Sequence, residues 1–376
     1  MLMRIHLVGG AVRDLLLGRP RGDRDYLVLD ASAEQFMARY PTARQVGKSF
    51  PVFILDGSEY AWPRGPSLAA DLARRDLTIN ALALDLSPAG AGFIHAHPRA
   101  LADLQAKILR PASTTALSDD PVRVFRAARF AAQLPDFSLS PELLAQMRQA
   151  GEQGLLAGHP AERFGQEVRK ALAAANPGRF LTLLADTGCL PPWFVELAQA
   201  KDIPAGPAPY HHEDVLTHTA QVMDRLAGDA LAVWMGLTHD LGKTLTGPES
   251  WPSHHGHAQA GEEPAERLGQ RLRLPGAFIR AGVVASAKHM LAKDYPLLRP
   301  GTAVDLLLSL EARRLTSRMF RLVQADCGLD HLGQARRELR AILKVKLPEE
   351  KRDLGEESGE ALRLARCEVL SEMRRG

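Results

Sequence analysis

The chain has 376 residues, 45% hydrophobic and 24% charged, which is typical of a globular protein with more than one domain. Its 47 basic and 44 acidic residues leave a formal net charge of +3, so any RNA-binding surface must be local. The three cysteines form no Cys-x-x-Cys pair, which argues against a thiolate zinc site and a disulfide framework. No apolar run approaches the ~20 residues that cross a bilayer. We therefore expect a cytoplasmic protein without membrane contacts.

The first 112 residues alternate short β-like runs with helical stretches. This alternation predicts an α+β head in which helices pack on one small mixed sheet. The predicted strands are Arg4–Val8, Tyr26–Leu29, Val52–Leu55 and Ala81–Leu86, with a strand-turn-strand signal around Asp56-Gly57-Ser58.

A pair of glycines, Gly9 and Gly10, separates the first predicted strand from a stretch of helical spacing that ends at Gly18. Glycines let the backbone approach a ligand closely, and the first amides of a helix have no partner within it, so a phosphate can accept from them. Arg13, one turn into the helix, is expected to face the same anion. A simple turn is the alternative interpretation, because most Gly-Gly pairs bind nothing.

Two aspartates, Asp23 and Asp25, open the second predicted strand, and side chains two apart on a strand share a face. Carboxylates placed in this way can hold one or two Mg²⁺ ions. Such ions stabilise the attacking and leaving oxygens of an in-line phosphoryl displacement. The pattern therefore predicts a nucleotidyl transfer site, with a solvated turn as the alternative for Asp-x-Asp taken alone.

Residues 113–206 are predicted to form a helical neck and body. Asp120-Pro121 is a good helix start, with Asp120 as N-cap and Pro121 at the first helical position. Arg123 and Arg126 then lie three apart on one face, which is typical of a solvated basic stripe. A proline-rich break at about residue 206 ends this segment.

Histidines concentrate after the break, in a predicted all-α domain over residues 207–330 that is followed by a helical tail over 331–376. Isolated histidines are more often surface or core residues than ligands. The adjacent His239 and Asp240, followed by Leu-Gly-Lys, differ from them, because imidazole plus carboxylate suits a divalent transition metal able to activate water.

Four stretches, in order along the chain, carry a resemblance to a known family. They are Gly9 to Val28, Arg74-Arg75-Asp76-Leu77-Thr78-Ile79-Asn80-Ala81, Asp119-Asp120-Pro121-Val122-Arg123-Val124-Phe125-Arg126 and the histidine-rich segment. The sequence resembles the tRNA nucleotidyltransferase and poly(A) polymerase family in its bacterial, class II form. This resemblance implies template-independent addition of the 3′-terminal CCA to tRNA from CTP and ATP, and maturation and repair of tRNA 3′ ends.

By this resemblance, Asp23 and Asp25 are the catalytic ligands of Mg²⁺. Asp120 and Arg123 act as an amino-acid template, because a carboxylate accepts from the exocyclic amine of C or A while a guanidinium donates to ring acceptors. The other implied nucleotide-binding residues are Gly10, Arg13, Arg75, which would bind the triphosphate, and Arg126.

The histidine-rich segment resembles the HD superfamily of metal-dependent phosphohydrolases. The implied activities are those of a phosphatase, a 2′,3′-cyclic phosphodiesterase and a 2′-nucleotidase. The expected partners are the tRNA acceptor end, CTP and ATP, and the expected state is a monomer or a homodimer. The implied ligands of a divalent transition metal such as Ni²⁺ or Mn²⁺ are His218, His239, Asp240 and Asp326, with His257 and His289 in a second-metal or phosphate site.

Two segments depart from the family's pattern. Residues 61–70 form a short, proline-containing connection where CCA-adding relatives carry a longer loop, so a CC-adding enzyme is an alternative. Around His97, only Asp103-Leu104 matches the family's hinge motif. Glu59 is a candidate for the family's third acidic residue or a solvated hairpin residue. An alternative of another class is an HD phosphohydrolase or RNA-repair protein whose head binds RNA without polymerising.

Overall fold

The computed structural model describes residues 3–20, 22, 24–46, 51–88, 90–208, 212–353 and 355–375. The chain forms two compact units, one of residues 1–158 with 186–189 and one of residues 159–185 with 190–376. The predicted boundaries at 112 and 206 fall inside these units. In the second case, the Val215 N–H donates to the Ile203 carbonyl and the Ala205 N–H to the Glu213 carbonyl, which ties the proline-rich break to the helix that follows. The division into four segments stays a prediction.

The first unit contains a mixed sheet that has seven strands among the described residues. The strands are β1 (Arg4–Val8), β2 (Asp25–Leu29), β3 (Arg44–Val46), β4 (Val52–Leu55), β5 (Ser58–Ala61), β6 (Leu82–Asp85) and β7 (Ile94–Ala96). They lie in the order β3-β4-β5-β2-β1-β6-β7. The pair β2–β5 is parallel, and the other neighbours are antiparallel. The predicted mixed sheet is confirmed, and the short edge strands β3 and β7 are additions to it.

Side chains alternate between the two faces of the sheet because the strand period is two. On one face, Val8, Leu27 and Ala83 pack beneath Leu68 and Leu72. The opposite face buries a second cluster, and a third cluster collects the aromatic side chains of the β4–β5 end. The helices of this part are α1 (Gly10–Leu16), α2 (Ala33–Arg39), α3 (Leu68–Ala73) and α4 (Ala100–Gln105).

Helices continue the first unit after the sheet. They are α5 (Ala116–Asp119), α6 (Val122–Gln133) and α7 (Pro141–Glu152). Helix α6 begins at Val122, one residue later than predicted, and Pro121 takes the position before it. A two-strand parallel pair, β8 (Ile108–Leu109) with β9 (Ser138–Leu139), interrupts the predicted all-helical segment, because the Ser138 N–H donates to the Lys107 carbonyl at 2.8 Å.

The second unit is helical, as predicted. Helix α11 is apolar on all sides, which is why its Trp234 is fully buried among neighbouring helices. No helix in the described part of the chain is both long and apolar enough to span a membrane. The helices of this unit are α8 (Ala161–Leu172), α9 (Pro177–Asp186), α10 (Val215–Arg225), α11 (Ala230–Thr238), α12 (His257–Ala260), α13 (Glu262–Arg271), α14 (Gly276–Lys293), α15 (Pro300–Glu311), α16 (Thr316–Cys327), α17 (Leu332–Lys344) and α18 (Glu356–Arg375).

A buried polar network fastens the last helix to the rest of the second unit. Arg374 on α18 donates from Nε and Nη2 to the Glu338 carboxylate at 3.1 and 2.8 Å. The Tyr295 hydroxyl also donates to Glu338, and the Arg374 guanidinium lies 5.0 Å from the Tyr295 ring centroid. Burial alone would raise the pKa of Glu338, but these hydrogen bonds outweigh it and lower that pKa.

Replacement of Arg374 tests this network. We expect Arg374→Ala to lower the free energy of unfolding by about 2 kcal/mol at pH 7, because the buried Glu338 carboxylate loses its charged partner. The pKa of Glu338 is depressed in the folded state, so its stabilisation is present above the ordinary pKa of 4.5 and is lost as the pH falls below it. The difference between wild type and variant should therefore shrink in acid.

Urea unfolding followed by circular dichroism measures the effect, with Arg375→Ala as the matched control because Arg375 is exposed on the same helical turn. Equal unfolding midpoints for the two variants at pH 7 would contradict the assigned role of Arg374.

Candidate functional sites

The turn after β1 favours glycine at its first position, because Gly9 adopts a positive φ that side chains rarely take. Gly9 has φ +74°, and a Cβ there would lie 2.9 Å from Nη1 of Arg75. The Gly9 N–H donates to the Leu82 carbonyl at 2.9 Å. Gly10 opens α1, and its own Cβ position lies 3.4 Å from Nη2 of Arg13. The turn therefore brings two guanidinium groups against its backbone.

Arg13 is 7% exposed and is held from three sides. Its Nη1 donates to Oδ1 of Asn80 at 2.6 Å, and its Nε donates to Oδ1 of Asp14 at 2.9 Å. Its guanidinium lies 5.0 Å from the ring centroid of Phe130 on α6. The side chain is thus positioned before any ligand arrives.

Asp76 connects the two halves of the first unit. The carboxylate is 6% exposed, and its Oδ2 accepts from Nε and Nη2 of Arg126 on α6, each at 2.8 Å. Its Oδ1 accepts from Nδ2 of Asn80 at 3.1 Å and from the Leu77 N–H at 2.8 Å. Burial alone would raise the pKa of Asp76, but the Arg126 charge and these hydrogen bonds hold it well below its usual range.

Sequence reasoning assigned no role to Asp76. Its signal was a carboxylate directly before an apolar run, but its main partner lies fifty residues away, so the sequence pattern alone did not reveal the pairing.

Asp120 and Arg123 lie close together, as their spacing predicts. Nε of Arg123 is 4.0 Å from Oδ2 of Asp120. Arg123 also donates from Nη1 to the Ala116 carbonyl at 2.9 Å and from Nη2 to the Arg74 carbonyl at 2.7 Å. The Arg123 guanidinium is therefore held between two main-chain carbonyls, that of Arg74 after α3 and that of Ala116 in α5.

Asp25 lies at the start of β2, paired with Val8 of β1 and with Glu59 of β5. Paired residues on neighbouring strands point to one face, so this register places the Asp25 and Glu59 carboxylates side by side, next to the glycine turn. Arg75 donates from Nη2 to Oδ2 of Asp71 at 3.1 Å. Asp23 lies outside the described residues.

The second unit brings together the four predicted metal ligands from three places in the chain. His218 lies on α10, His239 and Asp240 follow α11, and Asp326 lies on α16; one ligand atom from each falls within 4.8 Å of all the others. Nε2 of His218 is 2.9 Å from Oδ1 of Asp326, and Nε2 of His239 is 3.1 Å from Oδ2 of Asp240. Two imidazoles and two carboxylates of this kind suit a divalent transition metal.

The outward ring nitrogens of both histidines are already engaged. Nδ1 of His239 donates to the Gly236 carbonyl over 2.8 Å, and Nδ1 of His218 lies 3.2 Å from Oε1 of Glu213. These contacts orient each ring so that Nε2 faces the cluster, which is how proteins hold metal-binding imidazoles.

His257 and His289 adjoin the other oxygen of Asp240. Their Nε2 atoms are 3.4 and 3.5 Å from Oδ1 of Asp240 and 3.1 Å from each other. A Cβ on Gly242 would lie 1.9 Å from the His257 carbonyl, so glycine is required for the segment after Asp240 to pack against α12. Asp240 thus stands between two groups of ligands.

Lys243 was missed as a site residue by sequence reasoning. Its Nζ lies 2.7 Å from Oδ2 of Asp240 and donates to the Ala205 carbonyl at 2.6 Å. The Leu-Gly-Lys sequence after His-Asp was the available signal. The ammonium partly balances the carboxylates of the cluster.

Burial and charge act in opposite directions on the histidines of the cluster. Burial alone would lower the pKa of His239, but the adjacent carboxylates of Asp240 and Asp326 raise it to about 10. Burial dominates for His289 and lowers its pKa to about 4. Without a metal, a proton on His239 therefore balances the acidic ligands.

Two family models match the chain: residues 136–201 match the probable RNA and SrmB-binding site of polymerase A, and residues 210–317 match the HD domain. The second unit therefore carries an HD domain around its histidine-aspartate cluster. A multifunctional CCA protein of Xanthomonas campestris is 38% identical to the chain over 99% of both proteins. The chain belongs to the multifunctional CCA protein family.

Solved structures share the fold. A structure described as a tRNA-processing enzyme with CTP has a TM-score of 0.67 at 23% identity and covers 98% of this chain and 97% of its own. A complex of a CCA-adding enzyme with ATP has a TM-score of 0.68 at 21% identity, covering 98% of this chain and 86% of its own. The predicted fold class and family are thereby confirmed.

Because the pKa of His239 is raised, we expect metal binding at this cluster to depend on pH. A metal must displace this proton, because only the neutral imidazole binds it. Below a pKa of about 10 the ring is protonated, so we expect Ni²⁺ affinity to rise about tenfold per pH unit between pH 7 and 9. Calorimetric titration in buffers of different ionisation enthalpy should show one proton released.

Asp326→Ala is the paired measurement, because it removes a ligand from this cluster alone. An affinity that is flat with pH, or unchanged by Asp326→Ala, would contradict the interpretation of the cluster as a divalent-metal site.

Proposed function

We propose that the chain adds C and A from CTP and ATP to the 3′ end of tRNA without a nucleic-acid template. The observation that carries this proposal is the strand register that sets Asp25 beside the Gly9-Gly10 turn, where Arg13 and Arg75 also lie. Full-length membership of the multifunctional CCA protein family supports it.

Each group at this turn has a task in nucleotidyl transfer. Asp25 and, by resemblance, Asp23 would hold Mg²⁺, which supplies activation of the tRNA 3′ hydroxyl and stabilisation of charge on the phosphates. The hydroxyl oxygen attacks the α-phosphorus, and pyrophosphate leaves. Arg75 and Arg13 bind phosphate oxygens, and their fixed guanidinium groups offset the negative charge that develops in the transition state.

Base selection falls to Asp120 and Arg123. The Asp120 carboxylate accepts from the exocyclic amine that C and A share, and the Arg123 guanidinium donates to their ring acceptors. Arg126, held by Asp76, binds the same nucleotide. Bases without that amine present the wrong donor pattern and are rejected.

The HD domain is assigned an accessory phosphohydrolase activity, on the arrangement of His218, His239, Asp240 and Asp326. These four residues would hold a divalent transition metal, which would supply an activated water for attack on phosphorus. The substrates proposed are 2′-nucleotides and 2′,3′-cyclic phosphates. We propose that the enzyme acts in the cytoplasm as a monomer or homodimer.

A CC-adding enzyme is the second candidate, and the short connection after β5 favours it. The Trp62 Nε1–H donates to the Ala31 carbonyl at 2.7 Å, and the Arg64 N–H donates to Oδ1 of Asp71 at 2.9 Å. Ser67 then caps α3. The connection is thus tied to the sheet and to α3, which limits the movement available to it.

Incorporation of labelled CTP and ATP tests both candidates. tRNA ending at the discriminator base, at CC and at CCA is supplied in turn; we expect CC and then A to be added. A product that stops at CC would establish the second candidate and contradict addition of A.

Asp25→Asn should reduce incorporation to background, because the amide removes the charge that holds Mg²⁺ and keeps the side-chain shape. The matched control is Asp30→Asn. Asp30 lies just after the other end of the same strand, and its carboxylate forms an ion pair with Arg4. Near-normal C addition by Asp25→Asn would exclude the proposed mechanism.

The two activities should separate by single substitutions. Asp240→Asn is expected to abolish phosphate release from 2′-nucleotides and to leave CTP incorporation unchanged, while Asp25→Asn has the reverse effect. Phosphate release that survives Asp240→Asn would contradict the HD assignment, because this carboxylate adjoins both groups of histidines.

A further inference from the structure

A third group of metal-binding side chains lies on the head sheet, apart from both sites described above. His6 on β1 pairs with Asp85 on β6, and His95 on β7 pairs with Ala83 on β6. Alternation along the strands brings the three side chains to one face, and one ligand atom from each lies within 4.8 Å of the others.

His6 is fully buried, yet its ring has no hydrogen bond to any residue in the described part of the chain. Neither Nδ1 nor Nε2 contacts a hydrogen-bonding partner among the residues that the structure describes. Buried polar groups are almost always satisfied, so an exception of this kind requires an explanation. The nearest acidic atom, Oδ2 of Asp85, is 3.5 Å from Nε2, and the His95 ring centroid is 5.3 Å from that of His6.

Asp85 is arranged to present one oxygen to the two histidines. Its Oδ1 accepts the Ser87 N–H at 2.8 Å, which fixes the carboxylate and leaves Oδ2 on the His6 side. Gly90 packs against this carboxylate, since a Cβ there would lie 2.2 Å from Oδ2. Asp85 is 4% exposed, so positive charge near its carboxylate is stabilising.

We propose that His6, Asp85 and His95 bind a divalent transition metal of the zinc type. Two imidazoles and one carboxylate form a ligand set that such ions take in proteins, at about 2.0–2.2 Å from each ligand atom. Ligand atoms within 4.8 Å of one another reach that geometry through small side-chain movements.

The proposed metal would join three adjacent strands through their side chains. Strand β7 has three residues and lies at the edge of the sheet, where few backbone hydrogen bonds hold it. A bond through the metal from His95 to His6 would fix β7 across β6 to β1. His95 is half-buried, so its side of the site is open to a water molecule as the remaining ligand.

The test uses the full chain with the HD clusters disabled by His239→Ala and Asp240→Asn. Titration with Zn²⁺, and with Co²⁺ for its absorption spectrum, in excess Mg²⁺ that occupies the proposed Asp23 and Asp25 site, should show one tight site per chain and a rise in the unfolding temperature. Adding His95→Ala should remove the site and the rise, whereas adding His97→Ala, the nearest histidine outside the cluster, should keep both.

Failure to bind Zn²⁺ in the disabled chain, or binding that survives His95→Ala, would overturn the proposal. Should the disabled chain not fold, zinc content per chain is measured in otherwise wild-type protein, where His95→Ala must lower it by one ion and His97→Ala must not. Unchanged zinc content in His95→Ala would also overturn the proposal. CTP incorporation is scored separately, so this result is independent of the proposed nucleotidyl transfer.

Discussion

The first unit depends on the contacts that the buried Asp76 carboxylate makes with Arg126 and Asn80. An isolated charge at this depth would be strongly unfavourable, and it is tolerated because both oxygens are used. One oxygen holds the Arg126 guanidinium on α6, and the other holds Asn80, which in turn accepts from Arg13. Helix α1 after the glycine turn, through Arg13, and α6, through Arg126, are therefore connected through one negative charge.

In the HD domain, the buried carboxylates are balanced by a protonated histidine and a lysine instead of by arginine. These carboxylates, Asp240 and Asp326, face histidines and Lys243 in the interior of the second unit. Positive charge is required there, and a proton on His239 supplies it until a metal takes its place. The Asp76 network of the first unit is satisfied by protein groups alone, whereas the cluster of the HD domain is arranged to exchange one cation for another.

The sequence pattern predicted those strands and helices whose bounds are determined by neighbouring residues in the chain. The bounds of β1 and β4 were predicted correctly, because apolar runs ended by glycine or a turn signal leave little choice. Strands β3 and β7 were not predicted, since three-residue edge strands carry no usable period. The start of α6 was wrong by one residue, because Asp-Pro fixes a helix start only to within a residue or two.

Site residues that are neighbours in the sequence were likewise predicted from the pattern, whereas those that meet only in the folded chain were not. The Asp-x-Asp and Gly-Gly pairs were found from the chemistry of neighbouring residues, but the association of His218 with Asp326 came only from resemblance, since 108 residues separate them. Asp76 and Lys243 were overlooked because their importance depends on partners that only the folded chain brings near. The register that sets Glu59 beside Asp25 is likewise a product of strand pairing.

The hydrogen bond from Arg123 to the Arg74 carbonyl links two of the proposed nucleotide contacts. Arg74 is covalently joined to Arg75, whose guanidinium lies against Gly9 at the proposed phosphate position. A displacement of the segment that contains Arg74 and Arg75 is therefore expected to disturb the proposed base contact and the proposed phosphate contact together.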